Sequence, residues 1–325
     1  MSKAIGIAQV KRASVLRVLP YALVPILYGL GLATIQGYSS KLSIISLLVL
    51  ASMLGIAAVG QTLVVIVAGI DLSIPFVLGM ADVVVTQEYA AGWPFWACVL
   101  VVILAGAAVG AANGYLSRLL NVYPLVITLA TGSIVFGGVL AWSNGMTGGL
   151  VPGYLVSAVS VIGRTGPIAV PPVIVGWLVI AVVIIVVQRR TAFGRRLYAT
   201  GDNPKAADLA HLNVTRVWVI TFALSGAFAA MSGVLFAGFT TLSDATVGEP
   251  YLFQTIAAVV IGGTSLLGGR GGYGRTILGV LTLTQLTTLL VGAGLSSDMQ
   301  ESLLGLLIVL LLAMYGREPA LESRI

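Results

Sequence analysis

The sequence predicts an all-α integral membrane protein of about ten transmembrane helices. Three observations carry that expectation. Hydrophobic residues make up 58% of the 325 and charged residues only 9%, with a mean hydropathy of +1.06. A soluble domain carries about 25% charged residues, so a chain this poor in charge cannot clothe a water-facing surface and must face lipid. The apolar residues gather in runs of about 20 or more, the length that crosses a hydrocarbon core. When the chain is threaded back and forth through a bilayer, the cations between those runs collect almost entirely on one side. Glycine, at 40 residues, is abundant in the way expected where membrane helices pack closely.

The elements follow in order. Lys3, Lys11, Arg12 and Arg17 precede an apolar run from Val18 that lacks a small-residue cleavage site. Residues 1–18 therefore read as a cytoplasmic segment, and 19–38 as a retained first helix. Further helices are expected at 42–66, 74–91, 95–117, 123–143, 170–188, 217–239, 251–268, 276–294 and 299–316, all within a membrane domain spanning 19–316. The third contains Asp82, and the tenth is short. The longest outer connection, 144–169, holds Pro152, Pro167 and several glycines, which predicts turns or a short surface helix. Residues 189–216 form a charged cytoplasmic loop, and 317–325 a cytoplasmic tail.

The charges test this threading. With the N-terminus inside, the cytoplasmic segments hold Lys3, Lys11, Arg12, Arg17, Arg118, Arg189, Arg190, Arg195, Arg196, Lys205, Arg216, Arg270, Arg275, Arg317 and Arg324. Of the 17 cations, only Lys41 and Arg164 fall outside. A wrong helix count would scatter the later cations onto both faces, so both termini are expected in the cytoplasm. The same asymmetry accounts for the pI near 9.6 without a nucleic-acid partner.

Several functions are excluded. Cys98 is the only cysteine and His211 the only histidine, so a disulfide framework, a thiolate or His-based metal site and a Ser-His-Asp triad are all unsupported. None of the four lysines follows a glycine, so the chain has no P-loop. The glycine-rich run Gly262–Gly274 lacks a phosphate-facing lysine and reads as a tight turn at the cytoplasmic face.

The loop 189–216 is the most unusual segment. Asn203 followed by Pro204 is a helix-start signal, an Asx cap with proline at the first helical position. Ala206, Ala207, Leu209, Ala210 and Leu212 then offer a small apolar surface. Residue spacing leaves two readings open: an amphipathic helix resting on anionic headgroups, or a docking helix for a cytoplasmic partner.

This loop resembles that of the ribose-type sugar permease family of ABC importers, which carries Phe-Gly-Arg, then Tyr-Ala-x-Gly-x-Asn, then a small-residue helix. Phe193-Gly194-Arg195, Tyr198 to Asn203 and Ala206-Ala207 match it. Three further blocks match in order: Gly69-Ile-Asp71-Leu-Ser73; Asn113-Gly114 with Pro124 and Ile127 to Thr131; and Thr255 to Leu266 with Gly268-Gly269-Arg270-Gly271. The resemblance covers residues 42–316. It implies a permease that pairs with a second permease subunit, a cytoplasmic ATPase and a periplasmic sugar-binding protein. The chain itself would bind no cofactor, with ATP and Mg held on the partner ATPase. It assigns ATPase coupling to Phe193, Gly194, Arg195, Gly201, Asp202, Asn203, Pro204, Ala206, Ala207 and Leu209. It also implies that helices 2–5 and 7–10 form an inverted repeat.

Polar residues at membrane depth are the remaining candidates for a pathway or gate. Asp82 lies about 12 Å along the third helix and must face the bundle interior or water. Asp71 and Ser73 are placed to cap that helix, with Gly69 permitting the break before it. Gln61, Asn113, Thr128, Thr131, Gln254 and Gln285 either line the route or make interhelical hydrogen bonds. Tyr89, Trp93, Trp96 and Trp142 read as outer interface anchors, and Trp218 as an inner one. Alternative cargoes are a nucleoside, a polyol or a branched-chain amino acid. An ion-coupled secondary transporter is the main rival mechanism, and an intramembrane enzyme is the least supported.

Overall fold

The computed structural model describes residues 20–296, 298–300 and 302–306. Those residues are helical, with no named strand among them. In chain order the helices are α1 (Pro20–Thr34), α2 (Lys41–Ile66), α3 (Ile74–Ala90), α4 (Phe95–Leu119), α5 (Pro124–Ser143), α6 (Gly153–Val159), α7 (Pro172–Arg190), α8 (Ala192–Asp202), α9 (Pro204–Leu209), α10 (Val214–Thr240), α11 (Tyr251–Ile261) and α12 (Tyr273–Gly292). Helix also occurs at 298–300 and 302–306.

The helix starts follow local chemistry. The Ser40 side chain accepts the Ser43 N–H at 3.2 Å to open α2. Proline occupies the first turn of α3, α5, α7 and α9, where its fixed φ suits the helix and its missing N–H costs nothing. Among the described residues six helices, α2, α4, α5, α7, α10 and α12, are long and apolar enough to cross a membrane. The chain is thus an all-α, multi-pass membrane protein.

α2 is the axis of the bundle. Its residues from Ala51 to Ile66 are buried all round, the pattern of a helix enclosed by other helices. α10 packs beside it and is held on its other side by α4. The α4–α10 seam is backbone against backbone. A Cβ at Gly106 would overlap the Gly226 carbonyl, one at Gly226 the Gly106 carbonyl, and one at Gly110 the Phe222 carbonyl. Gly106, Gly110 and Gly114 recur every four residues and present one small-residue stripe, which permits this approach. α4, α5 and α7 turn Leu100, Leu104, Val126, Ile134, Val179 and Val182 outward, a lipid-facing surface.

Four expectations need correction. The eighth predicted helix, 251–268, ends at Ile261, because the chain turns at Gly262 and Gly263, the latter at φ 77°. The ninth begins at Tyr273 rather than 276. The stretch 189–216 holds two helices, α8 and α9, instead of one. Trp218 is no interface anchor: it is buried, stacked on Phe222 with ring centroids 5.7 Å apart, and covered by the Arg118 guanidinium. Residues 1–18, 317–325 and most of the tenth predicted helix lie outside the described residues.

Candidate functional site

The first candidate region is the break between α2 and α3. α2 closes with the Ala68 N–H donating to the Val65 carbonyl at 2.9 Å and the Gly69 N–H to the Val64 carbonyl at 3.0 Å. This Schellman closure requires a left-handed residue. That residue is Ala68, at φ 62°, and not Gly69 as expected. Gly69 is small for a different reason, since a Cβ there would lie 3.0 Å from Val64 Cγ1 and 3.1 Å from Phe222 Cζ.

Irregular backbone at membrane depth must find its polar partners within the protein. Asp71 supplies one of them and ties the break to α10. Its Oδ1 accepts the Ser73 N–H at 2.9 Å and the Ser73 hydroxyl at 2.6 Å. Its Oδ2 accepts the Ser225 hydroxyl of α10 at 2.7 Å. The Leu72 N–H donates to the Thr128 hydroxyl at 3.0 Å. Ser73 Oγ accepts from Asn113 Nδ2 at 2.9 Å, and Asn113 Oδ1 in turn accepts the Thr131 hydroxyl. Asp71, Ser73, Asn113 and Thr128 are thereby gathered in one buried network that also reaches Thr131. Ser73 does not cap α3 with its own side chain; Asp71 holds the turn.

Asp82 is buried in α3, and its Oδ2 accepts the Asp244 N–H at 2.8 Å. Its Oδ1 is buried without a partner. The segment after α10 descends along α3: a Cβ on Gly79 would overlap the Ala245 carbonyl, and one on Gly248 the Pro75 carbonyl. Asp244 Oδ1 accepts the Thr246 N–H at 2.8 Å and the Thr246 hydroxyl at 2.7 Å. Gln61 stands apart, with both amide atoms buried and unpartnered. Gln254 is half-buried on α11.

The second candidate region is the face built by α8, α9 and the glycine-rich loop 262–272. Thr191 opens α8 by accepting the Gly194 N–H at 3.2 Å. Asn203 opens α9 by accepting the Ala206 N–H at 3.0 Å. α9 closes with the His211 N–H on the Asp208 carbonyl and the Leu212 N–H on the Ala207 carbonyl, a Schellman turn with His211 at φ 58°. Ala207 is buried in the same apolar cluster as Val214 and Trp218, with Leu212 packed against it. Arg195, Asp202, Pro204 and Ala206 are exposed, Phe193 and Asn203 are half-buried, and Gly194 and Gly201 are buried. Leu209 stands 84% exposed, an apolar side chain aimed away from its own fold.

This face is wired into the bundle. Gly201 lies against the Ile66 carbonyl at the end of α2, and the Gly269 N–H donates to that same carbonyl at 2.9 Å. Gly268 and Gly269, at φ 80° and 69°, press their Cα atoms against Gly201 and Asp202. Burial pushes the Tyr198 phenol up from its ordinary range, while Arg189 and Arg275 pull the other way. The phenol keeps its proton and donates to the Gly271 carbonyl at 2.9 Å. From there Gln188 Oε1 accepts the Tyr273 N–H at 3.0 Å. The Tyr273 hydroxyl accepts the Trp177 indole N–H at 2.8 Å and donates to the Gly55 carbonyl at 2.7 Å. A continuous set of bonds thus runs from α8 to the middle of α2.

Ser225, Asp244, Thr246, Tyr273, Trp177 and Gln188 were missed in the sequence. One signal was available: Asp-x-Ser/Thr occurs at both Asp71 and Asp244, with a proline two residues after the first triplet and four after the second. Among the described residues no three His, Cys, Asp or Glu side chains converge as a metal site.

Residues 43–312 match the family described as the branched-chain amino acid transport system / permease component. The chain is 32% identical over 284 residues to the ribose import permease protein RbsC of Bacillus subtilis, covering 87% of each chain. It is 31% identical over 269 residues to the autoinducer 2 import system permease protein LsrC of Escherichia coli, covering 82% of this chain and 77% of that one. The LsrC protein of Salmonella paratyphi B matches equally, at 31% over 82% of this chain and 76% of its own. No solved structure matches the chain.

Proposed function

The chain belongs to the branched-chain amino acid transport system / permease component family, and we propose that it forms the pathway for a ribose-like monosaccharide or similar polar solute. It is the membrane-spanning permease subunit of a bacterial ABC importer, without an ATPase site of its own. ATP and Mg belong to a partner ATPase, and the solute is delivered by a periplasmic binding protein. A second permease subunit, identical or related, completes the pathway. The cargo reading rests on the ribose and autoinducer 2 permeases as relatives.

One observation carries the coupling mechanism. α9 projects beyond the bundle with Leu209 84% exposed, while Gly201 and Gly269 bind the adjoining chain to the end of α2. An ATPase gripping α9 through Asn203, Pro204, Ala206 and Leu209 pulls on α8, then on the α2 terminus and the break at 67–73. A two-state repacking of the helices follows from that pull. The chain crosses the inner membrane ten times with both termini cytoplasmic, which puts α8 and α9 on the ATPase side.

The halves holding helices 2–5 and 7–10 of the threading form an inverted repeat. Asp71 and Asp244 each follow one of the longest helices, α2 of 26 residues and α10 of 27. Each carboxylate accepts the N–H and the hydroxyl of the residue two positions on. Each turn is followed by a proline and a shorter helix, α3 or α11. In the two halves these breaks enter from opposite faces.

The test is reconstitution with the ATPase and binding protein in proteoliposomes. Labelled ribose should accumulate only when ATP is present with all components, and should persist when the proton gradient is collapsed. Uptake by this chain alone, or driven by the gradient without ATP, overturns the reading.

A further inference from the structure

At the junction of α8 and α10 the surface folds into a cavity of about 390 Å³. Its polar edge is made by Arg196, His211 and Arg216, and its wall by Phe193, Val217 and Ile220. Arg196, His211 and Arg216 are exposed, and no carboxylate lines the cavity among the described residues. Asn213 Oδ1 accepts the Arg216 N–H at 2.8 Å, which fixes Arg216 on the first turn of a 27-residue crossing helix. Val217 and Ile220 continue along that helix toward the hydrocarbon, with Ile220 37% exposed. Two arginines therefore share a cavity with an apolar wall at the first turns of a crossing helix.

A free inorganic anion satisfies only the cations, and a neutral lipid chain only the wall. An acidic protein side chain likewise leaves Phe193 and Ile220 unused. We propose that this cavity binds an anionic phospholipid of the cytoplasmic leaflet, with its phosphate diester between Arg196 and Arg216 and its upper acyl chain against Phe193, Val217 and Ile220. The charge complements a negative leaflet, which attracts cations beside a crossing helix. The site lies two residues past the end of α9, so an occupied cavity anchors the base of the coupling helix to the membrane. The proposal rests on the cytoplasmic placement of α8, α9 and the start of α10 in the proposed function.

Native mass spectrometry of the assembled transporter in detergent tests it, because bound headgroups are read whichever way the chain is oriented. Titration with phosphatidylglycerol should show saturable binding, and phosphatidylcholine should compete poorly. R196Q/R216Q should weaken phosphatidylglycerol binding about thirtyfold, the loss expected from two interfacial cations. I220S should weaken it less, while glycerophosphoglycerol and inorganic phosphate, which lack acyl chains, should fail to displace the lipid. Unchanged lipid binding in both variants overturns the proposal, as does equal displacement by inorganic phosphate. Loss of the co-purifying ATPase from R196Q/R216Q with lipid binding intact assigns the cations to a protein interface and also overturns it.

Discussion

The Cα of Gly201 is pressed against the carbonyl oxygen of Ile66, leaving no room for a methyl group between α8 and the end of α2. Gly201→Ala must push α8 away from that carbonyl and from Gly269. The strain of such an insertion is about 1–3 kcal/mol. The expected outcome is a lower unfolding midpoint together with ATP hydrolysis that no longer drives uptake. Wild-type uptake per ATP hydrolysed in the variant would show that this contact transmits nothing.

Ala68 occupies a left-handed position at φ 62°, which costs a residue with a Cβ about 1–2 kcal/mol. Ala68→Gly removes that penalty, offset in part by the freedom glycine gains in the unfolded chain. A net stabilisation of about 1 kcal/mol or less is predicted by thermal unfolding in detergent. A lower midpoint would mean that the Ala68 methyl, which faces Gly268, contributes more by packing than it costs in strain.

Asp71 accepts three hydrogen bonds in the buried α2–α3 break. Ser225→Ala removes one of them and should cost about 1–3 kcal/mol. Asp71→Ala leaves the Ser73 N–H without its acceptor as well, so its cost should exceed that of Ser225→Ala. Denaturation of both variants and of the double mutant checks the coupling. Strictly additive effects would argue that the two side chains do not share a bond.

Asp82→Asn retains an oxygen to accept the Asp244 N–H, so assembly and expression should match wild type. Uptake should fall by roughly tenfold or more, about 1.4 kcal/mol in transition-state terms, while binding-protein-stimulated ATP hydrolysis continues. Loss of the folded protein instead would place Asp82 in the scaffold.

Leu209→Asp changes a side chain that touches almost nothing in its own chain. The unfolding midpoint of the permease should stay within error of wild type, and the ATPase should no longer co-purify. An ATPase retained at wild-type stoichiometry would remove α9 from the dock.

The sequence made the membrane class, the order of the helices and the α9 start legible, because each rests on local chemistry: apolar length, cation placement and the Asn203–Pro204 pair. It misled where tertiary contact overrides local preference. The left-handed turn fell on Ala68 because Gly69 is needed against Phe222. Trp218 is buried because Gly114 of α4 lets its backbone approach and the Arg118 guanidinium covers its ring. α11 stops at Ile261 rather than 268, since hydropathy does not register the chain reversal at Gly262 and Gly263. Of the candidate pathway residues, Asp71, Ser73, Asn113, Thr128 and Thr131 share one network, but only spatial proximity reveals that Ser225 completes it.

The glycine stripe on α4 has a mechanical corollary. Where two helices touch through their main chains, each carbonyl sits in a notch of its neighbour, and sliding one along the other requires carbonyls to climb over Cα atoms. α4 and α10 therefore behave as a single beam that can tilt but not shear. Opening and shutting of the conduit must then be accommodated outside the beam, as at the turn holding Asp244 that leaves α10 and at the α2–α3 break holding Asp71, and a bulky residue at position 110 should damage the beam before it alters the passage.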